Sequence, residues 1–291
     1  MKIFLVGATG VIGRRLIPLL IASGHAVTGT TRVAEKRQLL QQVGASPVVV
    51  DVFEREKLFT VIREAQPDVV IHQLTDLSER NTIANARIRK VGTRNLVDAA
   101  KEAGVRHLIA QSIAWAYAPG EGPADESVPL DIGAPAPRRV TIEGIQALES
   151  AVGEMEWGVV LRYGVLYGPG TWYAPDGSIA EQVRRGQLVA DLGITSFLHV
   201  DDAARAALLA LNWPHGVVNV VDDEPAPATM WLPVYAATLD APTPTVQAEH
   251  PRAARGAMNT KARRHLNWQP AYSSWREGFP RAVREWKSQE K

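Results

Sequence analysis

Short apolar runs alternate with amphipathic segments over residues 1–167. The apolar runs predict six strands, at 2–6, 26–31, 47–50, 69–74, 105–110 and 157–162. Apolar residues spaced three and four apart predict helices between them, including 55–65, 79–103 and 138–152. Continuously apolar strands are buried on both faces, and strands that alternate with helices form parallel sheets. The pattern therefore predicts an α/β fold, a Rossmann-like doubly wound parallel sheet.

The pattern changes after residue 167. Six of the eight tryptophans lie beyond this point, at 172, 213, 231, 268, 275 and 286. A segment that begins His199-Val200-Asp201-Asp202 continues as an Ala/Leu helix, which indicates a return to the first domain. We therefore predict a first domain of residues 1–167, joined by 198–221, and a smaller C-terminal lobe of 168–197 and 222–291.

Charge and composition exclude several classes of protein. The net charge of +1 gives no basic stripe for a nucleic-acid partner. No apolar run reaches the roughly 18 residues that a membrane span requires, and no signal-peptide pattern is seen, so a cytoplasmic protein is expected. The chain has no cysteine, which excludes thiol catalysis, and its seven scattered histidines predict no metal site.

A glycine-rich turn directly follows the first predicted strand and precedes a helix. Gly7, Gly10 and Gly13 form a GxxGxxG pattern. In such a turn the glycines permit tight folding, close approach of a pyrophosphate, and packing of the helix on the strand, and the helix N-terminus attracts phosphate. The turn predicts a dinucleotide site that also includes Thr9, Val11 and Ile12.

The end of the second strand indicates which dinucleotide binds. An NAD enzyme places an acid there to accept hydrogen bonds from the ribose hydroxyls. This chain instead has Thr30-Thr31-Arg32, with Lys36 four residues further on. A guanidinium can bind a 2′-phosphate through two parallel hydrogen bonds. We therefore expect NADP(H), with NAD(H) as the weaker alternative, and an NADP(H)-binding role for residues 1–167.

Further motifs resemble those of the extended short-chain dehydrogenase/reductase family over nearly the whole chain. They are Asp51-Val52, His72-Gln73-Leu74-Thr75, Val91–Leu96 with Arg89 in place of the usual Asn, Arg162–Pro169, and His199–Asp202. The resemblance implies further cofactor-binding residues, namely Asp51, Val52, Leu74, Thr75, Gln111, Tyr163, Gly164 and Val165.

The expected catalytic pair of this family is missing. Family members carry a Tyr-x-x-x-Lys motif whose tyrosine transfers the carbonyl proton. An alignment through Glu149 places Thr141 and Ile145 at those positions, and the motif occurs nowhere in the chain. Ser112 stands in Gln-Ser-Ile-Ala-Trp-Ala-Tyr, next to the family's serine position. This variant resembles atypical reductases of actinomycete pathways to aromatic polyketides, the angucyclinone ketoreductases.

A reductase without that tyrosine needs another way to stabilise the developing alkoxide. A phenol beside the carbonyl can polarise it within the substrate. Ser112 or Thr141 can donate a hydrogen bond, with water as the proton source. Tyr117 can reach in from its loop, although a packed loop aromatic is the alternative. We hypothesise that substrate polarisation dominates and that Ser112 assists, and we expect Glu143 and Glu149 to form one exposed helix face.

Aromatic residues near the junction of the two lobes favour a flat substrate. Trp172, Tyr173 and Phe197 can stack on a polycyclic ring, although each can instead be core. The predicted substrate-binding residues are Ser112, Ala114, Trp115, Tyr167, Trp172, Tyr173 and Phe197. They give 168–197 and 222–291 the role of a substrate-binding lobe.

These observations predict an NADPH-dependent ketoreductase in antibiotic biosynthesis. It would transfer hydride to a carbonyl of a polycyclic aromatic polyketide without the Tyr/Lys pair, as a monomer or homodimer. One alternative is an inactive NADP-sensing regulator that has lost the catalytic pair. Another is a nucleotide-sugar epimerase or dehydratase, which the missing pair disfavours because repeated oxidation and reduction require it.

Overall fold

The structure is a computed structural model that describes residues 1–76 and 81–289. Its strands are β1 Lys2–Val6, β2 Ala26–Thr31, β3 Ser46–Val49, β4 Val69–His72, β5 His107–Ile113, β6 Trp157–Tyr163, β7 Val165–Tyr167, β8 Val189–Ala190, β9 Ile194–Thr195, β10 Phe197–His199, β11 Gly216–Val220, β12 Ala226–Pro227 and β13 Thr245–Val246. Its α-helices are α1 Gly13–Ala22, α2 Arg37–Gln42, α3 Arg55–Ala65, α4 Thr82–Arg87, α5 Thr93–Glu102, α6 Arg138–Gly153, α7 Ser178–Arg184, α8 Val200–Leu209, α9 Ala228–Thr238, α10 Thr260–His265 and α11 Trp275–Gln289.

Seven strands form the main sheet, in the order β3-β2-β1-β4-β5-β6-β11. Strand β1 pairs in parallel with both β2 and β4, and β2–β3 and β4–β5 are parallel as well. This order reverses beside β1, which is the arrangement of a doubly wound dinucleotide-binding sheet. The predicted α/β Rossmann-like fold is confirmed. The seventh strand, β11, was not predicted, although the run Val217-Val218-Asn219-Val220-Val221 is typical of a buried strand.

The first compact unit comprises Met1–Ser112, Leu130–Leu161 and Ala204–Val218. One of its apolar clusters joins the sheet to the helices packed on it, with Phe4, Leu58, Leu96, Leu108 and Val152 all fully buried. This cluster fixes α3, α5 and α6 against the sheet, and it thereby fixes the turns that follow β4 and β5.

A long helical stretch runs from α4 through a π-helical turn, Ile88–Gly92, into α5. The predicted helix 79–103 agrees with it, apart from Glu79 and Arg80, which lie outside the described residues. The wide turn coincides with Gly92, where an added Cβ would lie 2.9 Å from the Val52 side chain. Turns of this kind are frequent at functional sites.

The second compact unit comprises Ile113–Pro129, Arg162–Ala203 and Asn219–Lys291. Its largest cluster of buried side chains is aromatic, and its members include Tyr167, Phe197, Trp231, Tyr235, Trp275 and Phe279. These bounds differ from the predicted lobes at 113–129, 162–167, 198–203 and 219–221, and the predicted domain division stays a prediction. The substrate-binding role of the second lobe stays a prediction. No helix within the described residues is long and apolar enough to cross a membrane.

Candidate functional site

The glycine-rich turn after β1 is too tightly packed to carry side chains at two of its positions. At Gly7, where φ is +85°, an added Cβ would lie 2.6 Å from the backbone of Gln73. At Gly13 it would lie 2.3 Å from the carbonyl oxygen of Gly7. Gly10 is exposed, and its Cβ would meet only that oxygen, at 3.2 Å. The turn therefore leaves an open backbone cradle directly before α1, which fits a pyrophosphate.

Two exposed cations stand where β2 ends. Arg32 and Lys36 both project from the segment after Thr31, whose hydroxyl accepts a hydrogen bond from the Val33 amide at 3.1 Å. This is the position at which a 2′-phosphate was predicted to bind. The placement agrees with that prediction, and the cofactor-binding roles of Arg32 and Lys36 stay predictions.

The end of β3 is shaped by local hydrogen bonds. One oxygen of Asp51 accepts from the Phe53 amide at 3.0 Å, and the side chain remains partly exposed. The carbonyl of the buried Val52 accepts from the Asn95 side chain at 2.8 Å. Both predicted cofactor residues thus lie on a fixed turn at the carboxyl end of the sheet.

The turns after β4 and β5 are joined to each other. The Gln111 side chain donates to the carbonyl of Leu74 at 3.2 Å, while Leu74 and Thr75 remain partly exposed. The Leu74 amide in turn donates to Nδ1 of His72 at 3.2 Å. A ring nitrogen that accepts carries no hydrogen, so Nε2 is the protonated nitrogen, and it donates to the Thr93 hydroxyl at 3.0 Å.

His72 is neutral at physiological pH. Burial, with a smaller contribution from the positive charge of Arg89, lowers the pKa of His72 to about 4. His72 therefore holds the turn after β4 by hydrogen bonds and contributes no charge to the site.

Ser112, at the end of β5, donates its hydroxyl hydrogen to Oε1 of Glu149 on α6 at 2.8 Å. Ser112 is buried and Glu149 is partly buried. The expectation that Glu143 and Glu149 form one exposed face was wrong for Glu149, because α6 presents residues four apart on one side. Glu149 follows Thr141 and Ile145 at that spacing, which the sequence shows. Glu143 is exposed and pairs with Lys90 at 2.8 Å.

The other two proton-donor candidates lie in different surroundings. Thr141 is buried on α6, one turn before the fully buried Ile145. Tyr117 belongs to the second unit, where it is buried, donates to the Asn219 side chain at 2.6 Å, and lies under the guanidinium of Arg162. Burial raises the pKa of the Tyr117 phenol, so its proton is held more tightly than usual. These surroundings favour the packed-aromatic alternative for Tyr117, and its catalytic role stays a prediction.

The last three predicted cofactor residues also belong to the second unit. Tyr163 is buried, and its hydroxyl donates to the carbonyl of Ala203 at 3.3 Å. The Val165 amide donates to the carbonyl of Ser196 at 2.8 Å. A Cβ on Gly164 would lie 2.7 Å from that same carbonyl oxygen, so only glycine fits there.

The predicted substrate-binding aromatics divide into two groups. Tyr167 and Phe197 are fully buried in the aromatic cluster, and the partly buried Tyr173 packs against Phe197 with ring centroids 5.4 Å apart. Trp115 is 43% exposed and Trp172 is 36% exposed. Ala114, the residue before Trp115, is buried. Substrate contact stays a prediction for all of them.

Arg89 received no role in the sequence analysis beyond its departure from a family motif. Its side chain is only 6% exposed. Burial lowers the pKa of Arg89 to about 10, against an opposing attraction to Glu149, so the guanidinium remains charged at neutral pH. The signal that could have identified it was its place on the same helix face as Ala86, Gly92 and Leu96, which are small or apolar.

The glycine turn predicts different results for two substitutions. Gly10→Val places a side chain in the open cradle, where its Cβ meets only the Gly7 carbonyl oxygen at 3.2 Å. It should weaken nicotinamide dinucleotide binding about tenfold or more and lower the melting temperature less than Gly13→Ala does. Gly13→Ala forces a Cβ against the Gly7 carbonyl, and it should lower the melting temperature by several degrees. Fluorescence titration with the reduced cofactor and thermal melts distinguish the two. Full binding by Gly10→Val would show that no phosphate lies over this turn.

Relatives of known activity match the chain over most of its length. It is 44% identical over 97% of its length to the whole of a 3-diazoavenalumate denitrifying reductase of a Streptomyces species. It is 30% identical over 77% of its length to 68% of a 4-hydroxy-2-methyl-3-oxo-4-farnesyl-3,4-dihydroquinoline-1-oxide ketoreductase of Stigmatella aurantiaca.

Solved structures share the fold. A UDP-glucose 4-epimerase of Thermotoga maritima with UDP-glucose superposes with a TM-score of 0.79, 21% identity and complete coverage of both chains. A UDP-glucose 4-epimerase of Thermus thermophilus in complex with NAD gives a TM-score of 0.75, 25% identity and 99% coverage of both. Residues 3–221 match the model of the NAD dependent epimerase/dehydratase family. The chain therefore belongs to this nicotinamide-dinucleotide-dependent family, and it is an oxidoreductase.

Proposed function

We propose that this protein is an NADPH-dependent reductase that replaces the diazo group of an aromatic compound with hydrogen. The observation that carries the proposal is the hydrogen bond from Ser112 to Glu149. Because that bond uses the only hydrogen of the hydroxyl, the serine beside the family's catalytic position has none to donate to a substrate oxygen.

This arrangement suits a reaction that needs no acid. Reduction of a ketone forms an alkoxide, which must take up a proton. An aryl diazonium that accepts hydride at its terminal nitrogen becomes an aryldiazene. The C–N bond of the aryldiazene then breaks, N2 leaves, and the N–H hydrogen passes as a proton to the ring carbon, so no outside proton is consumed. Bound NADPH would supply the hydride, and the protein's part is to orient the ring and exclude water.

The relative that matches the chain from end to end supports this reaction class. The 3-diazoavenalumate denitrifying reductase is named for a reduction that removes nitrogen from a diazo compound, and it shares 44% of its residues with this chain. An inactive NADP-sensing regulator would have no reason to preserve such likeness over the whole chain.

The remaining roles follow the sequence predictions. The cradle around Gly10 would hold the pyrophosphate, and Arg32 and Lys36 would hold the 2′-phosphate. Residues 168–197 and 222–291 would form the substrate-binding lobe. The exposed rings of Trp115 and Trp172 are the aromatics that can stack on a flat substrate.

A ketoreductase acting on a polycyclic aromatic polyketide is the second candidate. The ketoreductase of Stigmatella aurantiaca, which acts on a quinoline derivative by its name, favours it at 30% identity. A phenol beside the carbonyl would then supply the polarisation that Ser112 cannot supply while it is bonded to Glu149. An angucyclinone would be such a substrate.

A substrate panel separates the two candidates. NADPH oxidation is followed with 3-diazo-4-hydroxycinnamate and with a hydroxylated polycyclic quinone, and products are identified by mass spectrometry. We expect loss of N2 and gain of one hydrogen, with deuterium from 4-deuterated NADPH on the ring carbon that carried the nitrogen. Turnover of the quinone alone would establish the ketoreductase, and tight NADPH binding without any turnover would contradict both.

Replacement of Arg32 tests the choice of cofactor. Loss of a charged hydrogen bond to the 2′-phosphate should weaken NADPH binding about 10- to 100-fold in Arg32→Ala and leave NADH binding unchanged. Isothermal titration with both cofactors measures the ratio. Arg37→Ala, which removes another exposed cation at the start of α2, is the matched control. Equal weakening for NADH and NADPH would contradict 2′-phosphate recognition.

Replacement of Ser112 tests whether a proton donor is needed. Because a general acid contributes about 10²–10⁴-fold, Ser112→Ala should keep at least roughly a tenth of kcat for the diazo substrate if the serine is not one. Steady-state kinetics measure this, with Ser150→Ala, an exposed serine on α6, as the control. A loss of a hundredfold or more in a folded, NADPH-binding variant would assign proton donation to Ser112.

A further inference from the structure

Arg89 is a buried cation set between two helices of the first unit. It lies in the π-helical turn Ile88–Gly92, and its side chain passes Gly144 on α6. A Cβ placed on Gly144 would lie 3.5 Å from Cδ of Arg89 and 3.1 Å from Cα of Ala86. The absence of a side chain at Gly144 therefore gives the arginine stem its path, and the guanidinium extends beyond it.

Within the part of the chain that the structure describes, the guanidinium has no hydrogen-bonded partner. Among residues 1–76 and 81–289, no hydrogen bond or salt bridge joins it to another side chain or to the backbone. The attraction of Glu149 reaches it but only partly offsets the effect of its burial. The Arg89 nitrogens are not among the fully buried polar atoms that lack a partner in the described residues, so part of the guanidinium can be reached by a ligand. Its low exposure strengthens any hydrogen bond that an anion makes to it.

The surroundings of Arg89 place it near the predicted chemistry. His72, at the end of β4, feels its positive charge, and so does Glu149, which holds Ser112 at the end of β5. Gly144 shares the buried face of α6 with Thr141 and Ile145, which align with the missing catalytic pair.

We propose that Arg89 binds an anionic group of the substrate, a carboxylate or a phenolate. Its planar guanidinium can bind a carboxylate through two parallel hydrogen bonds or a phenolate through one. The substrate class is then an aromatic anion. The proposal rests on the proposed function only for the aromatic ring of the ligand, since the anion follows from Arg89 itself.

The experiment measures binding and does not depend on turnover. The protein is saturated with NADP⁺, which fills any site for phosphates, and titrated with 4-hydroxycinnamate, its methyl ester and 4-methoxycinnamate. The ester lacks the carboxylate and the methoxy compound lacks the phenol. Isothermal titration is run on the wild type, on Arg89→Met and Arg89→Lys, and on Lys90→Met. Lys90 is the adjacent cation, but it is exposed and paired with Glu143.

We expect Arg89→Met to weaken binding of the acid at least tenfold, equivalent to about 1.4 kcal/mol, with Arg89→Lys intermediate and Lys90→Met unchanged. If the carboxylate is the bound group, wild-type and Arg89→Met proteins will bind the ester equally. If it is the phenolate, they will bind 4-methoxycinnamate equally.

Three results would overturn the proposal. They are equal losses for the acid, its methyl ester and 4-methoxycinnamate, no loss for any of the three, or weakened binding of NADP⁺ itself. Thermal melts establish that each variant is folded, and Arg89→Lys preserves the charge should Arg89→Met fail to fold. Absence of diazo reduction by the wild type would contradict the proposed function and leave this binding test intact.

Discussion

The close approach of backbone to backbone at the carboxyl edge of the sheet is the constraint on which the site depends. Gly7 meets the backbone of Gln73, and Gly13 meets the carbonyl of Gly7, at distances that exclude any Cβ. These contacts bring the turns after β1 and β4 together and seat α1 on the strand. The open position at Gly10 exists because its neighbours are packed so closely.

Buried polar groups then decide what the edge can do. His72 is neutral, and each of its ring nitrogens makes a hydrogen bond. It therefore supports the turn after β4 and does not act as a proton donor in the reaction. The only hydroxyl hydrogen of Ser112 is donated in a hydrogen bond to Glu149. Arg89 keeps its charge without a hydrogen-bonding partner among the described residues. The first unit thus offers hydrogen-bond acceptors and, in Arg89, a buried cation. The proposed reduction of an anionic diazo compound requires no proton donor there.

The two candidate reactions differ in this single requirement. Hydride transfer is common to both, and the family likeness accounts for it. A ketone needs a donor for its new oxyanion, which a phenol of the substrate must then provide. A diazonium needs none, because nitrogen leaves and the hydrogen stays. If Thr141 and Ile145 stand at the positions of the family's acid–base pair, as the sequence alignment predicts, the second reaction can proceed because it requires no acid.

The sequence by itself determined the fold class, the phosphate turn and the absence of the Tyr-x-x-x-Lys motif, because these depend on local periodicity and on which residue types are present. It also placed Arg32 and Lys36 after β2, because both residues follow the end of this strand directly in the sequence. It did not reveal β11, and it misjudged Glu149, whose four-residue spacing from Ile145 was visible but whose partner, Ser112, lies on another element. Only the tertiary structure showed that Tyr167 and Phe197 pack in a core. It also showed that the Ser112 hydroxyl donates its hydrogen bond to Glu149 and that Arg89 is buried beside Gly144. Each of these facts depends on contact between segments distant in the chain, and the pattern of a single segment carries no record of the atoms packed against it.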